Sequence, residues 1–412
     1  MSLPATSLVI VNHSRRAELA LVLKSLPFQR HPNFEVIVVS DLAPPDRPEA
    51  PGGTRWIHFP EANISTARNL GIAAAGGEIV AFCDDDAVPE FSWLERLCAP
   101  FADPSVGAAG GFVRGRNGVS FQWRGVGFDR LGRDHPLDVA QTQVFAPAPD
   151  RFVKTVGTNS AFRRAALVGI GGFDAAYRFF LDETDVNLRL SRAGWSTAIV
   201  PDAEVLHGFA ESRLRTRHRV PRSLYEIGAS MAHFLKLHAP KPDIAARLAG
   251  FRTEQHRRLL HHFSLGALSG RDVARLMAGL EAGLAEGASR APRTGLPACA
   301  EAPGFAPLQR RDGGARLAIR AGLRDHAAAR AAARAAAAAG HEVTLLLPEV
   351  SPRPLRVCFT RDGYFEHRFG LLGKAERDRP RPFGTVAARN TAEICRIQSL
   401  RGPLAIETPL EA

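Results

Sequence analysis

The chain has 412 residues, 45% hydrophobic and 23% charged, with a formal net charge of +11 carried mostly by arginine. That length allows two or three domains of ordinary globular composition, and no run of about eighteen apolar residues predicts a membrane-spanning helix. Five scattered cysteines (Cys83, Cys98, Cys299, Cys358 and Cys395) with no CxxC pair speak for a reducing compartment and against a zinc site.

Met1 to Ser7 lacks a charged stretch followed by a long apolar core, so no secretory leader is expected. Ser7 to Asn12 reads as a first strand, and Leu19, Val22, Leu23 and Leu26 fall on one face of a helix over 15–25. Phe34 to Val39 reads as a second strand, closing a βαβ unit and implying a parallel sheet. Asp41 follows at its tip, where it suits either a turn or recognition of a base or ribose. Trp56 to Phe59 is a short strand. Ser65 or Thr66 is expected to cap a helix over 67–75, with Arg68 in its first turn.

Ile79 to Cys83 then reads as a buried strand ending in Asp84-Asp85-Asp86. Adjacent carboxylates repel one another and are costly to bury unless cations neutralise them. The triplet is therefore either a solvated, helix-capping turn or an oxygen site for Mg²⁺ or Mn²⁺. A helix over 93–101 follows, then a Gly-rich strand with turns over 106–118. Phe121 to Pro149, with little periodicity, reads as one long loop over the site.

Gly157 to Arg164 reads as a strand entering a short helix. Asp182-Glu183-Thr184-Asp185 opens the next helix, where acidic residues either cap it or supply a general base. A strand from Trp195 to Val200 precedes His207, an imidazole able to join an oxygen site.

These motifs, in this order, resemble family 2 glycosyltransferases over residues 3 to about 238. The matching features are Asp41, Ala67-Arg68-Asn69-Leu70-Gly71, the Asp84–Asp86 cluster, Gly172-Phe173-Asp174, the acidic helix start and His207. The resemblance implies the GT-A fold, an α/β architecture with a Rossmann-like, mostly parallel sheet. It implies metal-dependent, inverting transfer from a nucleotide-sugar to a hydroxyl of a glycan or lipid-linked acceptor, in polysaccharide biosynthesis. Asp41 matches the position contacting the base, and Arg68 one near the diphosphate. Asp84 and Asp85 fall in the nucleotide-binding segment, and Asp84, Asp86 and His207 match contacts to Mg²⁺ or Mn²⁺. Glu183 matches the base by register. The family's usual order is Glu then Asp, here Asp182 then Glu183, which leaves Asp182 and Asp185 open as alternatives. A nucleotidyltransferase and a non-catalytic nucleotide-sugar-binding protein are the rival readings.

Beyond His207 the chain reads as a basic helical extension over 211–288, with Arg213, Arg215, Arg217, Arg219 and Arg222 at its start. The charge admits a peripheral contact at the inner face of a membrane, for a protein otherwise expected in the cytoplasm. The basic residues are spread out and lack interleaved aromatics, so no nucleic acid partner is expected. Residues 1–210 are read as the GT-A domain and 289–314, rich in Pro, Gly and Ala, as a linker. Residues 315–412 read as a small α/β unit: a strand, an Ala-rich helix over 325–339, a strand over 343–347 and a hairpin turning at Asp362-Gly363. Few contacts are expected to cross the linker, so that a chain cut there should keep a folded N-terminal part.

Overall fold

The computed structural model describes residues 3–298, 304–311, 313–376 and 384–407. Of the stretch read as a linker, residues 299–303 and 312 lie outside them, as does Cys299.

Four parallel strands form one half of the main sheet, in the spatial order Arg55–His58, Phe34–Ser40, Thr6–Asn12, Ile79–Asp84. The β-branched run from Val36 to Val39 is buried, as expected of a sheet covered on both faces. Strand Asn159–Arg163 then joins antiparallel between Ile79–Asp84 and Val106–Arg114. Ser196–His207 runs parallel to Val106–Arg114, with its register shifted around Pro201. The fold class is therefore the expected one, α/β with a mostly parallel sheet, then helices, then a smaller sheet. The helices Tyr225–His238, Lys241–Ser264 and Gly270–Ser289 follow, and Met231, Phe234, Leu276 and Leu280 share their core with Tyr177 and Leu188.

Several local expectations are corrected. The helix holding Arg68 spans Ile64–Ala74, and its cap is Asn63, whose side chain accepts from the Thr66 N–H. Arg68 thus lies beyond the first turn and is buried. Residues 121–149 are no single loop: Val126–Phe128, Asp134–Pro136 and Phe152–Lys154 make a small antiparallel sheet, too short-stranded to leave a period. The arginine-rich residues 208–222 are irregular, held by bridges between Ser212 and Arg215 and between Arg215 and Pro221. Helix Val386–Arg401 was not foreseen at all.

Among the described residues the C-terminal sheet has five strands, with Glu342–Glu349 at its centre and Arg356–Phe359 and Phe365–Gly370 as the expected hairpin. Few contacts were expected between this unit and the main sheet; the structure has many. Leu346, Val357, Phe359, Phe365 and Ile394 belong to the same core cluster as Leu8, Ile10 and Phe91. The Phe91 and Phe365 ring centroids are 5.0 Å apart. Arg401, buried, donates two hydrogen bonds to Glu90, at 2.7 and 2.8 Å. It also donates to Thr344 Oγ1 at 2.7 Å and to His367 Nε2 at 2.9 Å. Arg30 holds Glu342 through two bonds at 3.0 and 2.5 Å.

Removing residues from 299 onward would strip this apolar cover and leave Glu90 buried without its cation. Losing one partner of a buried pair costs about 3–5 kcal/mol. A chain ending at 298 is expected to be insoluble or to melt well below the full chain, and Arg401→Met to lower Tm in the same direction. Equal solubility and Tm for the shortened chain would overturn this account.

Two buried histidines give a pH dependence. His31 Nδ1 accepts from the Asn33 N–H, and His367 Nε2 accepts from Arg401. A proton on either nitrogen destroys its bond, and burial pushes both groups down from 6.5 to about 4. Above pH 6.5 neither folded nor unfolded chain is protonated there, so the sites contribute nothing. As pH falls from 6.5 toward 4 only the unfolded chain takes up protons, and stability drops by up to about 1.4 kcal/mol per histidine per pH unit. Denaturant titrations at pH 7.5 and 5.5 should show this loss, and His367→Gln should reduce its slope; a pH-independent midpoint is the contrary result.

Candidate active site

Strand Thr6–Asn12 has Phe34–Ser40 on one side and Ile79–Asp84 on the other, so the direction of sheet growth reverses there. In open α/β sheets such a switch leaves a crevice beyond the strands' carboxyl ends. Val11 pairs with Asp84, which brings Asn12 to Arg15 alongside the acidic triplet.

The triplet is not a solvated turn. Asp85 is fully buried; Asn12 Nδ2 donates to it at 2.6 Å and the Arg15 guanidinium lies 2.7 Å away. Burial pushes the Asp85 pKa up, with Arg15 and Asn12 opposing. Arg15 also stands 3.5 Å from Asp86. Asp84 accepts from Thr158 Oγ1 at 2.6 Å. Asp86 accepts from the Ala210 N–H at 2.6 Å through Oδ2, while its Oδ1 is 3.2 Å from His207 Nε2. Burial acts to raise the Asp86 pKa, but His207, Arg15 and the Ala210 N–H hold it below the ordinary carboxylate range.

The site's donor atoms suit a divalent cation. His207 Nδ1 is 2.7 Å from Gln122 Oε1, a contact that orients the ring with Nε2 toward Asp86. Buried Asp86 Oδ1 and His207 Nε2 each lack a hydrogen-bond partner. Asp84, Asp86 and His207 offer ligand atoms within 4.8 Å of one another. Two carboxylate oxygens and an imidazole nitrogen converging there are a donor set for Mg²⁺ or Mn²⁺.

Two cavities flank these residues and share Asp84. The first, about 580 Å³, is lined by Asn12, His13, Ser14, Arg15, Asp84 and Asp86 among others. Asp41 lines neither cavity; it accepts bonds from the Ser14 N–H and Oγ, both at 2.8 Å, and so shapes the wall. Asp85 likewise lines neither and ties the triplet to Asn12 and Arg15. The second cavity, about 560 Å³, contains His207, Arg68, Lys154, Asp182 and Glu183.

The acidic helix start is resolved by its partners. Asp182 is buried and ion-paired with Arg68, whose guanidinium packs over the rings of Phe82 and Phe173. A Cβ at Gly157 would overlap that guanidinium. Asp185 is taken by Arg189 at 2.6 Å and His238 at 2.7 Å. Glu183 is only half-buried, and alone of the three it has no cation at ion-pair distance among the described residues. Burial acts to raise its pKa, yet Asp182, Arg68 and Lys154 together lower it; burial and the Glu183 charge push Asp182 up. Glu183 is thus the carboxylate kept ionised toward the cavity. Phe180 and Leu181, immediately before the helix, have φ of 74° and 64°, strained values for bulky residues.

Asn12, Arg15, Thr158, Gln122 and Lys154 escaped the sequence reading. Each acts through a partner at least twenty residues away, and nothing local marks it.

Residues 7–170 match the model of the family described as Glycosyl transferase family 2. The succinoglycan biosynthesis protein ExoM of Rhizobium meliloti (strain 1021) is 36% identical over 115 residues, 25% of this chain and 37% of that protein. The pre-mycofactocin glycosyltransferase of Mycobacterium tuberculosis is 28% identical over 191 residues, 45% of this chain and 38% of that protein. The chain thus spans less than two fifths of either relative's length. Among solved structures, the mannosyltransferase PcManGT from Pyrobaculum calidifontis, in complex with GDP-Man and Mn²⁺, superposes with TM-score 0.39 at 17% identity, over 69% of this chain and 87% of that one.

Calorimetric titration with Mn²⁺ should register one binding event, weakened about tenfold or more in His207→Ala and abolished in Asp86→Ala, with Thr158→Val milder than either. Undiminished Mn²⁺ affinity in both Asp86→Ala and His207→Ala would remove the metal site.

Proposed function

We propose that the chain is a glycosyltransferase that moves a sugar from a nucleotide-sugar to a hydroxyl of a glycan or lipid-linked acceptor, with inversion. The observation carrying this reading is the convergence of Asp86 Oδ1 and His207 Nε2, neither with a hydrogen-bond partner, beside Asp84, with one cavity on either side. The family of residues 7–170 supports it, and the relatives' names agree with synthesis of a glycan or glycoside.

On this reading the first cavity takes the nucleoside diphosphate. Backbone and side chains of His13 and Ser14, fixed by Asp41, face the nucleoside. Asp84, Asp86 and His207 hold Mg²⁺ or Mn²⁺, which when bound offsets the charge of the departing diphosphate. The acceptor enters the second cavity, and Glu183 takes the proton of its attacking hydroxyl. A base on the acceptor side, opposite the leaving group, fits a single displacement and hence inversion. Arg68 serves by fixing Asp182, which keeps the base next to it in register. Lys154, held to Asp134 by two bonds of 2.7 Å, keeps Glu183 ionised. No described helix is long and apolar enough to cross a membrane, and the four described cysteines are free; a cytoplasmic setting, with contact at a membrane face for a lipid-linked acceptor, accords with both.

A nucleotide-sugar panel with Mn²⁺ should show release of a nucleoside diphosphate. Release of pyrophosphate would mark a nucleotidyltransferase, and binding without release a non-catalytic protein. With the active donor, Glu183→Gln should lower transfer by about 10²–10⁴-fold at little change in donor affinity. Loss of transfer in Asp182→Asn but not in Glu183→Gln would move the base by one residue.

A further inference from the structure

The cavity containing Glu183 has a second charged wall that the transfer chemistry leaves unused. Arg215 and Arg219 come from the irregular segment after His207, and Arg258 and His262 from one face of helix Lys241–Ser264. The other cations of the cavity are matched: Arg68 by Asp182, Lys154 by Asp134. Arg215, Arg219 and Arg258 form no ion pair among the described residues. Buried Arg219 Nη1 has no hydrogen-bond partner, and the Arg219 guanidinium lies 4.8 Å from the Phe209 ring centroid. The side-chain bond of Arg258 goes to neutral Gln255, at 3.4 Å.

Three guanidiniums gathered without a carboxylate repel one another, and partial burial removes the water that would screen them. The strain is visible in their acidities. Burial, then Arg215 and Arg258, push Arg219 down to about 10, with Asp86 opposing. Burial and Arg215 likewise lower Arg258, and burial, Arg258 and His261 lower His262. An anion placed between them relieves the repulsion, supplies the missing partner of Arg219 and fits the forked geometry of guanidinium.

We propose that Arg215, Arg219, Arg258 and His262 form a subsite for a phosphate or diphosphate group carried by the acceptor. The subsite rests on the proposed transfer reaction for its purpose, but its existence does not depend on it. Arg219, Arg258 and His262 line only the cavity of Glu183, whereas Arg215 reaches both cavities. The anion therefore sits on the acceptor side, with Ile227, Phe180 and Leu181 as apolar neighbours in the same cavity. Three to four positive groups exceed what one carboxylate needs, which favours a phosphate ester or diphosphate.

The test is binding of inorganic pyrophosphate to the full-length protein in EDTA, where a metal-borne donor site is disabled. Binding is expected, weakened about tenfold or more in Arg258→Gln and in Arg219→Gln, each checked for an unchanged circular-dichroism melt. Falling affinity with added salt should accompany it. A parallel titration with farnesyl diphosphate distinguishes the sources: tighter binding than pyrophosphate marks a lipid-borne diphosphate, equal binding a water-soluble one. Absence of pyrophosphate binding in EDTA, or binding that requires Mn²⁺ and vanishes in Asp86→Ala, overturns the subsite and returns these arginines to the donor. Nucleoside diphosphate release with Mn²⁺ is scored separately, so failure of the subsite and failure of the transfer reaction are told apart.

Discussion

Arg15 decides what the acidic triplet can do. Three consecutive carboxylates at the end of a buried strand cannot all be desolvated without cations, and the segment supplies none of its own. Arg15 reaches across from the end of the neighbouring strand and, with Asn12, takes the middle carboxylate. Asp85 is thereby consumed in tying two adjacent strand ends together. Its neighbours Asp84 and Asp86 are left facing the first cavity, with His207 brought up from the far end of Ser196–His207. The convergence of Asp84, Asp86 and His207 follows from neutralising the middle charge of the three and leaving the outer pair facing the cavity.

The C-terminal unit bears on the same residues from behind. Glu90 follows the short strand Ala87–Pro89, which pairs with Val205 to His207. Arg401 holds Glu90, and His367, itself held by Glu393, holds Arg401. Each member satisfies the next, so the buried charges are tolerable only as a complete set. The strand that carries the third aspartate into place against His207 is thus backed by a network whose other half lies more than two hundred and fifty residues later in the chain.

The sequence made legible what is encoded locally. The run Ile79 to Cys83 and the Asp362-Gly363 hairpin carry their pattern within a few residues, and the structure has them close to the expected bounds. Asp84, Asp86, Glu183 and His207 were singled out because each stands at the end of an element, and the structure gathers them around two adjoining cavities. What stayed hidden depends on long-range partners. No spacing shows that Asp182 faces Arg68 or that Asp185 faces His238, and those pairings separate Glu183 from its neighbours. The composition of 289–314 suggested an independent C-terminal unit, because a Pro- and Gly-rich stretch reports the stiffness of the chain there and says nothing of what docks beyond it. Phe91 and Phe365 are unremarkable apolar residues until a shared core puts their rings 5.0 Å apart.

Strain follows the same map. The non-glycine residues with positive φ among those described are Ser14, Phe180, Leu181, Phe209 and Arg219. Ser14 lines the first cavity; Phe180, Leu181 and Arg219 line the second; the Phe209 ring packs on His207 with centroids 4.8 Å apart. Left-handed backbone costs about 1–2 kcal/mol or more for such residues and persists only where surroundings dictate it. Asp41 clamps Ser14 with two bonds, and buried Asp182 with its arginine fixes the turn after Leu181. Arg219 has no comparable clamp on its side chain, whose Nη1 is buried without a partner. Its backbone turn is closed by Thr216, which accepts from the Arg219 N–H at 2.8 Å, so what the protein leaves unmatched there is the guanidinium, and an anion between the guanidiniums is the partner that would supply it.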